Sequence, residues 1–259
     1  MVEIAICLAI IGIALVAIIG VLPLGMRTQR DNREQTVINQ DASVFLEAIR
    51  NGARGMDDLT NYVYAISNYW TLFNANGSVN NSGVNGYTYS AAFAYGTSVP
   101  FMELTNGANI VGLLSTPEFT TNFNGNLSPI STLFNNNGYS NHVVAYVRSL
   151  SGPATEKPPQ DNPIVLGGAF AYRILCVNAP VARDTNALAF GAPYDTQLAA
   201  SLHELRLTFL WPQQPNGGVG AGRQTFRALV AGQFAMTNDN SQVLYFYQPQ
   251  SFTNVVTAQ

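Results

Sequence analysis

The stretch from Ile4 to Met26 constrains this chain most, because it contains no charged residue over 23 consecutive positions. As an α-helix it would extend roughly 35 Å, which is enough to cross a hydrocarbon core about 30 Å thick. It is also too long for the apolar part of a signal peptide. We therefore predict a membrane-anchoring helix over residues 4–26, and the run taken by itself fits an ordinary signal anchor.

Glu3 stands at the head of this apolar run. A carboxylate in or near hydrocarbon costs about 2.5–3.5 kcal/mol on insertion scales, so such a group usually has a partner. No basic side chain lies near it in the sequence. The α-amino group of a neighbouring subunit is a natural candidate, which makes Glu3 the predicted assembly residue.

Helical periodicity continues beyond the apolar run. Apolar residues recur at spacings of three and four at Val37, Ile38, Ala42, Phe45, Leu46, Ile49, Ala53 and Met56. One helix over about residues 3–56 would be roughly 80 Å long. Its first part would be apolar all round, and its second part, 27–56, would be amphipathic and would pack against a globular domain.

Four residues in the apolar run weaken helices, namely Gly12, Gly20, Pro23 and Gly25. Proline inside a helix removes one hydrogen bond and clashes with the preceding turn, so we expect a kink or a melted turn near Pro23. Small residues also allow helices to approach closely, and simple packing within a membrane is the alternative explanation.

The N-terminal residues Val2-Glu3-Ile4-Ala5-Ile6, followed by the Ile/Leu/Ala/Val run, resemble the mature N-terminus of type IV pilins and type II secretion pseudopilins. The family pattern is Gly, cleavage, then Phe-Thr-Leu-Val-Glu. On that match Glu3 takes the place of the family glutamate that pairs with a neighbour's N-terminal amine. Pro23, Gly20 and Gly25 resemble the region where the family helix loosens in filaments. The resemblance covers residues 1–56, about a fifth of the chain.

The sequence departs from the family pattern at its start. Met1 stands two residues before Glu3, where the family has four residues, and the leader, the cleavage-site glycine and Phe-Thr-Leu are missing. A start assigned too late, a shortened sequence and an atypical subunit are all open explanations.

The resemblance implies a pilin-like α+β fold and a structural subunit of a type IV pilus-like or type II secretion pseudopilus filament. It implies the chain itself, the inner-membrane assembly machinery and, before assembly, membrane lipid as partners. It also implies a single-pass protein of the bacterial inner membrane with its C-terminal domain outside the cytoplasm. Arg27, Arg30 and Arg33 directly follow the span and favour the opposite orientation under the positive-inside rule, unless a basic leader precedes Met1.

The rest of the chain divides into two regions. Residues 57–140 are rich in Asn, Gly and Ser, and stretches such as 74–83 and 135–138 predict turns and loops, with a strand over 87–95. Residues 141–259 alternate at period two, most clearly over 203–211 and 223–230. We therefore predict a loop-rich variable region followed by an antiparallel β-sheet domain, with an open hairpin loop over 212–222.

Composition and motifs argue against enzyme and nucleic-acid functions. The net charge is -3 and charged residues make up 10% of the chain, so clustered cations for phosphate binding are not expected. The two histidines, His142 and His203, lie in strand patterns without a second ligand at metal-binding spacing. Cys7 and Cys176 are expected to be free thiols. We predict no cofactor; the acidic groups 57–58, 184–195 and 238–240 lack the ligand spacing of a defined calcium loop, although some pseudopilins bind calcium.

Two other classes of protein stay open. One is a single-pass, membrane-anchored extracytoplasmic binding module that does not polymerise and whose Tyr/Asn-rich loops contact a ligand. The other is a membrane-tethered enzyme, for which the sequence offers no catalytic constellation. Filament formation that depends on Glu3 would distinguish a filament subunit from both the binding module and the enzyme.

Overall fold

A computed structural model describes residues 2–52, 57–74, 76–88, 101–104, 106–120, 138–150, 170–181, 201–214, 217–239 and 242–248. The chain forms two compact units, Met1–Asp41 and Ala42–Gln259. The fold combines a long N-terminal helix with an antiparallel sheet, which confirms the predicted α+β class.

The first helix, α1, runs over Val2–Arg50 without interruption. Gly52 lies in the turn that follows the helix, and its φ of 66° is the left-handed conformation in which glycine commonly terminates helices. The predicted end near residue 56 lies outside the described residues. Pro23 stands inside the helix, so no turn is melted there. A role for Pro23, Gly20 and Gly25 in loosening the helix during assembly stays a prediction.

The last turns of α1 are buried within the second unit. Ala42, Phe45, Ala48 and Ile49 expose at most 1% of their surface, and their spacing of three and four follows the predicted apolar stripe. Glu47 and Arg50 remain exposed on the opposite side of the helix, where they form an ion pair of 3.2 Å. This part of α1 is therefore amphipathic.

The second unit is built on an eight-stranded sheet. The strands are β1 (Val63–Phe73), β2 (Val79–Thr88), β3 (Phe101–Glu103), β4 (Phe119–Thr120), β5 (Tyr139–Arg148), β6 (Ala171–Pro180), β7 (Leu202–Gln213) and β8 (Val219–Ala231). Their order is β3-β2-β1-β5-β6-β7-β8, with β4 paired to β5, and every pair is antiparallel except β2–β3. The remaining elements are a 3₁₀ turn (Asp57–Asn61), helix α2 (Gly107–Leu114) and a hairpin of β9 (Gln233–Asp239) and β10 (Gln242–Gln248).

One face of the sheet forms the core, and alternation of side chains explains why. Successive residues of a strand point to opposite faces, and β5, β6 and β7 place apolar residues at every second position. The buried members of this face are Val143, Ala145, Val147, Tyr172, Ile174, Cys176, Leu205, Leu207 and Phe209. The alternation predicted over 203–211 is thus confirmed, and the other face of the sheet carries the charged residues of these strands.

The described part of 57–140 differs from the predicted loops. It forms β1 to β4 and α2, and the supposed loop over 74–83 is a tight turn followed by strand β2. The Asn74 amide donates to the Ser78 carbonyl at 2.8 Å, and Gly77 has a φ of 80°. Residues 79–82 of β2 are exposed, and the three that follow Val79 are Asn80, Asn81 and Ser82, so this part of the strand gives no apolar alternation to detect. Residues 89–95 of the predicted strand lie outside the described residues.

Two tryptophans pack over glycines of neighbouring strands. A Cβ added at Gly83 would lie 2.7 Å from the Trp70 ring, and one added at Gly222 would collide with the Trp211 indole. Glycine in a strand often marks such a close approach. The loop predicted over 212–222 is shorter than expected, because β8 begins at Val219. Gly220 and Gly222 therefore belong to the strand and not to the loop.

Three buried hydrogen bonds link β6 to the end of α2 and to β10. The Cys176 thiol donates to the Leu114 carbonyl at 2.9 Å, and the Asn178 amide donates to the Ser115 carbonyl at 2.7 Å. The Tyr247 hydroxyl donates to the Asn178 side-chain oxygen at 2.6 Å. Each polar atom that is removed from water here therefore gains a partner, as buried polar groups require.

Burial raises the pKa of the Cys176 thiol and of the Tyr247 hydroxyl well above their ordinary values, and it raises the pKa of Tyr245 to about 12. The folded chain keeps these protons at pH values where the unfolded chain releases them. Because the folded state then binds more protons, its stability falls as pH rises above the ordinary thiol pKa of 9.0.

We expect Cys176→Ala to lose stability less steeply than wild type between about pH 8 and about pH 10, because one of these groups is gone. The measurement is thermal unfolding of the full chain in detergent across that range. Cys7→Ala, which removes the exposed thiol, is the matched control and should follow wild type. Parallel pH profiles for wild type and Cys176→Ala would contradict the assignment.

Gly222→Ala should destabilise the second unit by about 1–3 kcal/mol, because the added methyl overpacks against Trp211. At roughly 2–4 °C per kcal/mol, the melting temperature should fall measurably. Leu229→Ala on the same strand is the control, since Leu229 is 65% exposed. An unchanged melting temperature for Gly222→Ala would show that the indole can move aside freely.

Candidate assembly segment in the N-terminal helix

The apolar half of α1, residues 2–26, exposes its large side chains. Their exposed fractions lie between 53% for Leu15 and 74% for Val2, and the group comprises Val2, Ile4, Ile6, Leu8, Ile10, Ile11, Ile13, Leu15, Val16, Ile18, Ile19, Val21, Leu22 and Met26. Burying one such side chain contributes about 1.5–3 kcal/mol. A chain that left all of them in water would forgo a large stabilisation, so an apolar environment favours this segment.

The segment is apolar in every direction around the helix axis. Consecutive residues such as Ile10 and Ile11, or Ile18 and Ile19, are exposed on different sides of the helix. A helix that is hydrophobic all round is surrounded by apolar material, as in a membrane or a protein core. By length and composition, α1 is able to cross a membrane. One such helix near an N-terminus is also compatible with a signal sequence.

Glu3 lies in the first turn of α1. It is the sole charged residue among the first 26 of the sequence, and the next, Arg27, lies 24 positions away. Along a helix that is about 36 Å. No ion pair joins Glu3 to any residue that the structure describes, so the geometry permits a counter-charge from outside this helix.

The three glycines of the segment have free space beside them. A Cβ added at Gly12, Gly20 or Gly25 would meet nothing within 4 Å. No packing against the described part of this chain therefore requires glycine at these positions. Small residues on an apolar helix allow a second helix to approach closely, which agrees with the predicted packing role without deciding between membrane and filament.

Polar residues begin abruptly after the segment. Arg30 donates to the Glu34 carboxylate at 2.7 Å, and the exposed residues of this part are mostly charged or amide side chains. Arg27, Arg30 and Arg33 thus lie on a helix that continues from the apolar segment. If this helix crosses a membrane, the positive-inside rule would favour a cytoplasmic location for the residues that follow these arginines.

The candidate catalytic and metal-binding residues do not come together. His142 is half-exposed and lies 3.9 Å from Glu118, whereas His203 is buried with its ring 4.8 Å from the Phe234 ring centre. Within the described ranges no group of three or more His, Cys, Asp or Glu residues could hold a metal ion. Cys7 is exposed and Cys176 is buried, and both are free thiols.

The remaining sequence candidates are placed as follows. Asp57 and Asp58 open the 3₁₀ turn and lie beyond the end of α1 at Arg50. Gly217 lies in the turn between β7 and β8 with a φ of 82°, where it opens no helix. The acidic group over 184–195 lies outside the described residues.

A row of charges that sequence reasoning did not find crosses the exposed face of the sheet. Glu118 lies 4.0 Å from Arg206, and Glu204 lies 3.6 Å from both Arg206 and Arg227. These residues come from three separate segments of the chain. Alternation in β7 already placed Glu204 and Arg206 on one face, but only the strand register reveals their neighbours.

No protein-family model, no curated protein and no solved structure matches this chain. The family resemblance therefore depends on the N-terminal residues alone.

If residues 2–26 are covered by lipid, Ile11→Arg with Leu15→Arg should release the chain from membranes. Each arginine near the middle of a span costs about 2.5–3.5 kcal/mol, while each Leu or Ile contributes a few tenths of a kcal/mol. The measurement is the fraction of chain that resists alkaline carbonate extraction. Asn32→Arg with Gln35→Arg, which lie beyond the segment, should extract like wild type, and an equally resistant Ile11/Leu15 variant would exclude the span.

Proposed function

We propose that this chain is a filament subunit of the type IV pilin or type II secretion pseudopilin kind, which polymerises through the apolar half of α1. One observation carries the proposal: a single helix begins with an exposed, charge-free segment headed by Glu3 and ends buried in the unit that contains the sheet.

A carboxylate at the head of the span favours this function over a simple anchor. In a simple anchor a carboxylate within hydrocarbon opposes insertion, and its interaction with the N-terminal end of the helix dipole contributes only about 0.3–1 kcal/mol. A filament subunit gains a means of setting axial register, since an α-amino group of a neighbour can neutralise the carboxylate. The resemblance of residues 2–6 to mature pilins assigns the same role to Glu3.

Charge pairing also provides a reason to leave the membrane. Lipid tails are as apolar as Leu or Ile side chains, so packing apolar helices together replaces one apolar environment by another. Neutralising Glu3 is an interaction that lipid does not provide. On this proposal, close helix packing at Gly12, Gly20 and Gly25 adds van der Waals contact, and the Glu3 pair selects the register.

The proposal includes a location and partners. The subunit resides in the inner membrane of a bacterium with its sheet unit outside the cytoplasm, and it then enters a periplasmic or extracellular filament. Its partners are other copies or related subunits and the assembly machinery of the inner membrane. Pilus and pseudopilus subunits share these properties, and the anchored binding module is the outcome that the following experiment would favour instead.

Glu3→Ala should abolish filaments while leaving the protein in the membrane. The measurement compares sheared surface material from cells by electron microscopy, with immunoblots of the membrane fraction, after expression from the gene together with its upstream region. Glu3→Gln keeps the shape of the side chain without its charge and should fail likewise. Asp31→Ala, which removes an exposed carboxylate from the same helix outside the apolar segment, should assemble normally.

Filaments from Glu3→Ala in wild-type amounts would remove the proposed role of that carboxylate. Absence of filaments from wild type, with a stable and monomeric membrane-anchored chain, would contradict polymerisation and favour the anchored binding module.

A further inference from the structure

Strand β8 closes one end of the large sheet. It is 13 residues long, pairs with β7 along its length, and is the last strand in the order of the sheet. Within the described ranges no strand pairs with its outer edge. An edge strand of this length offers a row of backbone N–H and C=O groups to an added strand, and natural proteins usually shorten, cover or charge such edges.

The exposed face of this edge is positively charged. Arg223 and Arg227 alternate with Thr225 on the side of β8 that faces away from the core, and each of the three is exposed. Arg227 lies 3.6 Å from Glu204, but Arg223 has no ion pair among the residues that the structure describes. Within the described part of the sheet Glu118 and Glu204 offset Arg206 and Arg227, so Arg223 supplies the uncompensated positive charge of this edge.

The same charges disfavour pairing of two copies through β8. In the two-fold antiparallel register that pairs the full strand, Val219 stands opposite Ala231 and Arg223 stands opposite Arg227 of the second copy. The register therefore places two arginine pairs side by side, and like charges opposite each other destabilise a strand pair. An in-register parallel pair places Arg223 against Arg223 and suffers similarly.

The chain itself supplies no complementary strand. A strand that pairs with β8 needs acidic side chains four residues apart to lie opposite both arginines, because alternate residues share a face. None of the 15 Asp and Glu residues of the sequence stands four positions from another. Within this sequence no segment offers both carboxylates to the edge, which favours a segment of another protein as the occupant.

We infer that the outer edge of β8 accepts an extended acidic segment of another protein as an added antiparallel strand, with carboxylates opposite Arg223 and Arg227. Main-chain hydrogen bonds to the edge supply affinity, and the side chains opposite β8 supply selectivity, as in other cases of strand addition. Thr225 accommodates a small polar residue between the two acids, and Leu229, which is 65% exposed, accommodates an apolar one. This inference does not depend on filament assembly.

The test uses the full chain in detergent micelles and a fluorescent ten-residue peptide with Ile, Glu, Thr and Glu at alternate positions. We expect binding by fluorescence anisotropy, and slower hydrogen exchange of the amides over 219–231 when the peptide is bound. A peptide with Gln in place of both Glu residues should bind at least about fivefold more weakly, since each exposed charge pair contributes modestly.

Arg223→Glu should weaken binding of the acidic peptide by about fivefold or more, because an attraction becomes a repulsion. Arg33→Glu makes the same charge change on α1, where it should leave binding unaltered. In the double variant Arg223→Glu with Arg227→Glu, a peptide with Lys in place of Glu should bind more tightly than it binds wild type. Unfolding of the double variant could not produce tighter binding of the Lys peptide, so this result tests the charge preference itself.

Three results would overturn the inference. The first is equal binding of the acidic and Gln peptides, and the second is binding without added protection of 219–231. The third is no binding at millimolar peptide, which would mean that another part of this chain already covers the edge.

Discussion

The rest of this molecule depends on one constraint, which is that residues 2–26 cannot remain in water. Large apolar side chains point outward from every side of the helix, and burial of each contributes about 1.5–3 kcal/mol. The sheet unit has its own core over β5, β6 and β7. By length and composition α1 is able to cross a membrane, and lipid or other apolar helices are environments that would bury these side chains. The low share of charged residues, 10%, fits a protein that does not depend on free solubility.

The sequence predicted those elements whose signal is local and periodic. Spacings of three and four around Phe45 and Ile49 indicated the buried turns of α1, and alternation over 203–211 indicated β7. The start of strand β2 was not found because residues 79–82, which are Val, Asn, Asn and Ser, are exposed and conform to no apolar period. The close approach of Gly222 to Trp211 could not be predicted either, since it depends on strand register and on residues 11 positions apart along the chain.

The candidate assembly segment was easier to predict than its use. An apolar run and an isolated Glu3 can be recognised from the sequence alone, because insertion depends on length and composition. What covers the helix depends on partners outside the chain. The row of charges from Glu118 to Arg227 could be found only from the strand pairing. Its members come together only when β5, β6, β7 and β8 align. Charges that converge from separate strands leave no local pattern.

The two interaction surfaces place different demands on one chain. Anchoring in a membrane or packing in a filament concentrates many copies, which favours contact between their sheet edges. An uncharged β8 would then allow strand pairing to compete with packing through α1. Arg223 and Arg227 oppose that route, because full-length pairing brings arginines of two copies face to face. The same two charges that disfavour self-pairing select an acidic strand from elsewhere, so negative discrimination and recognition have one physical origin.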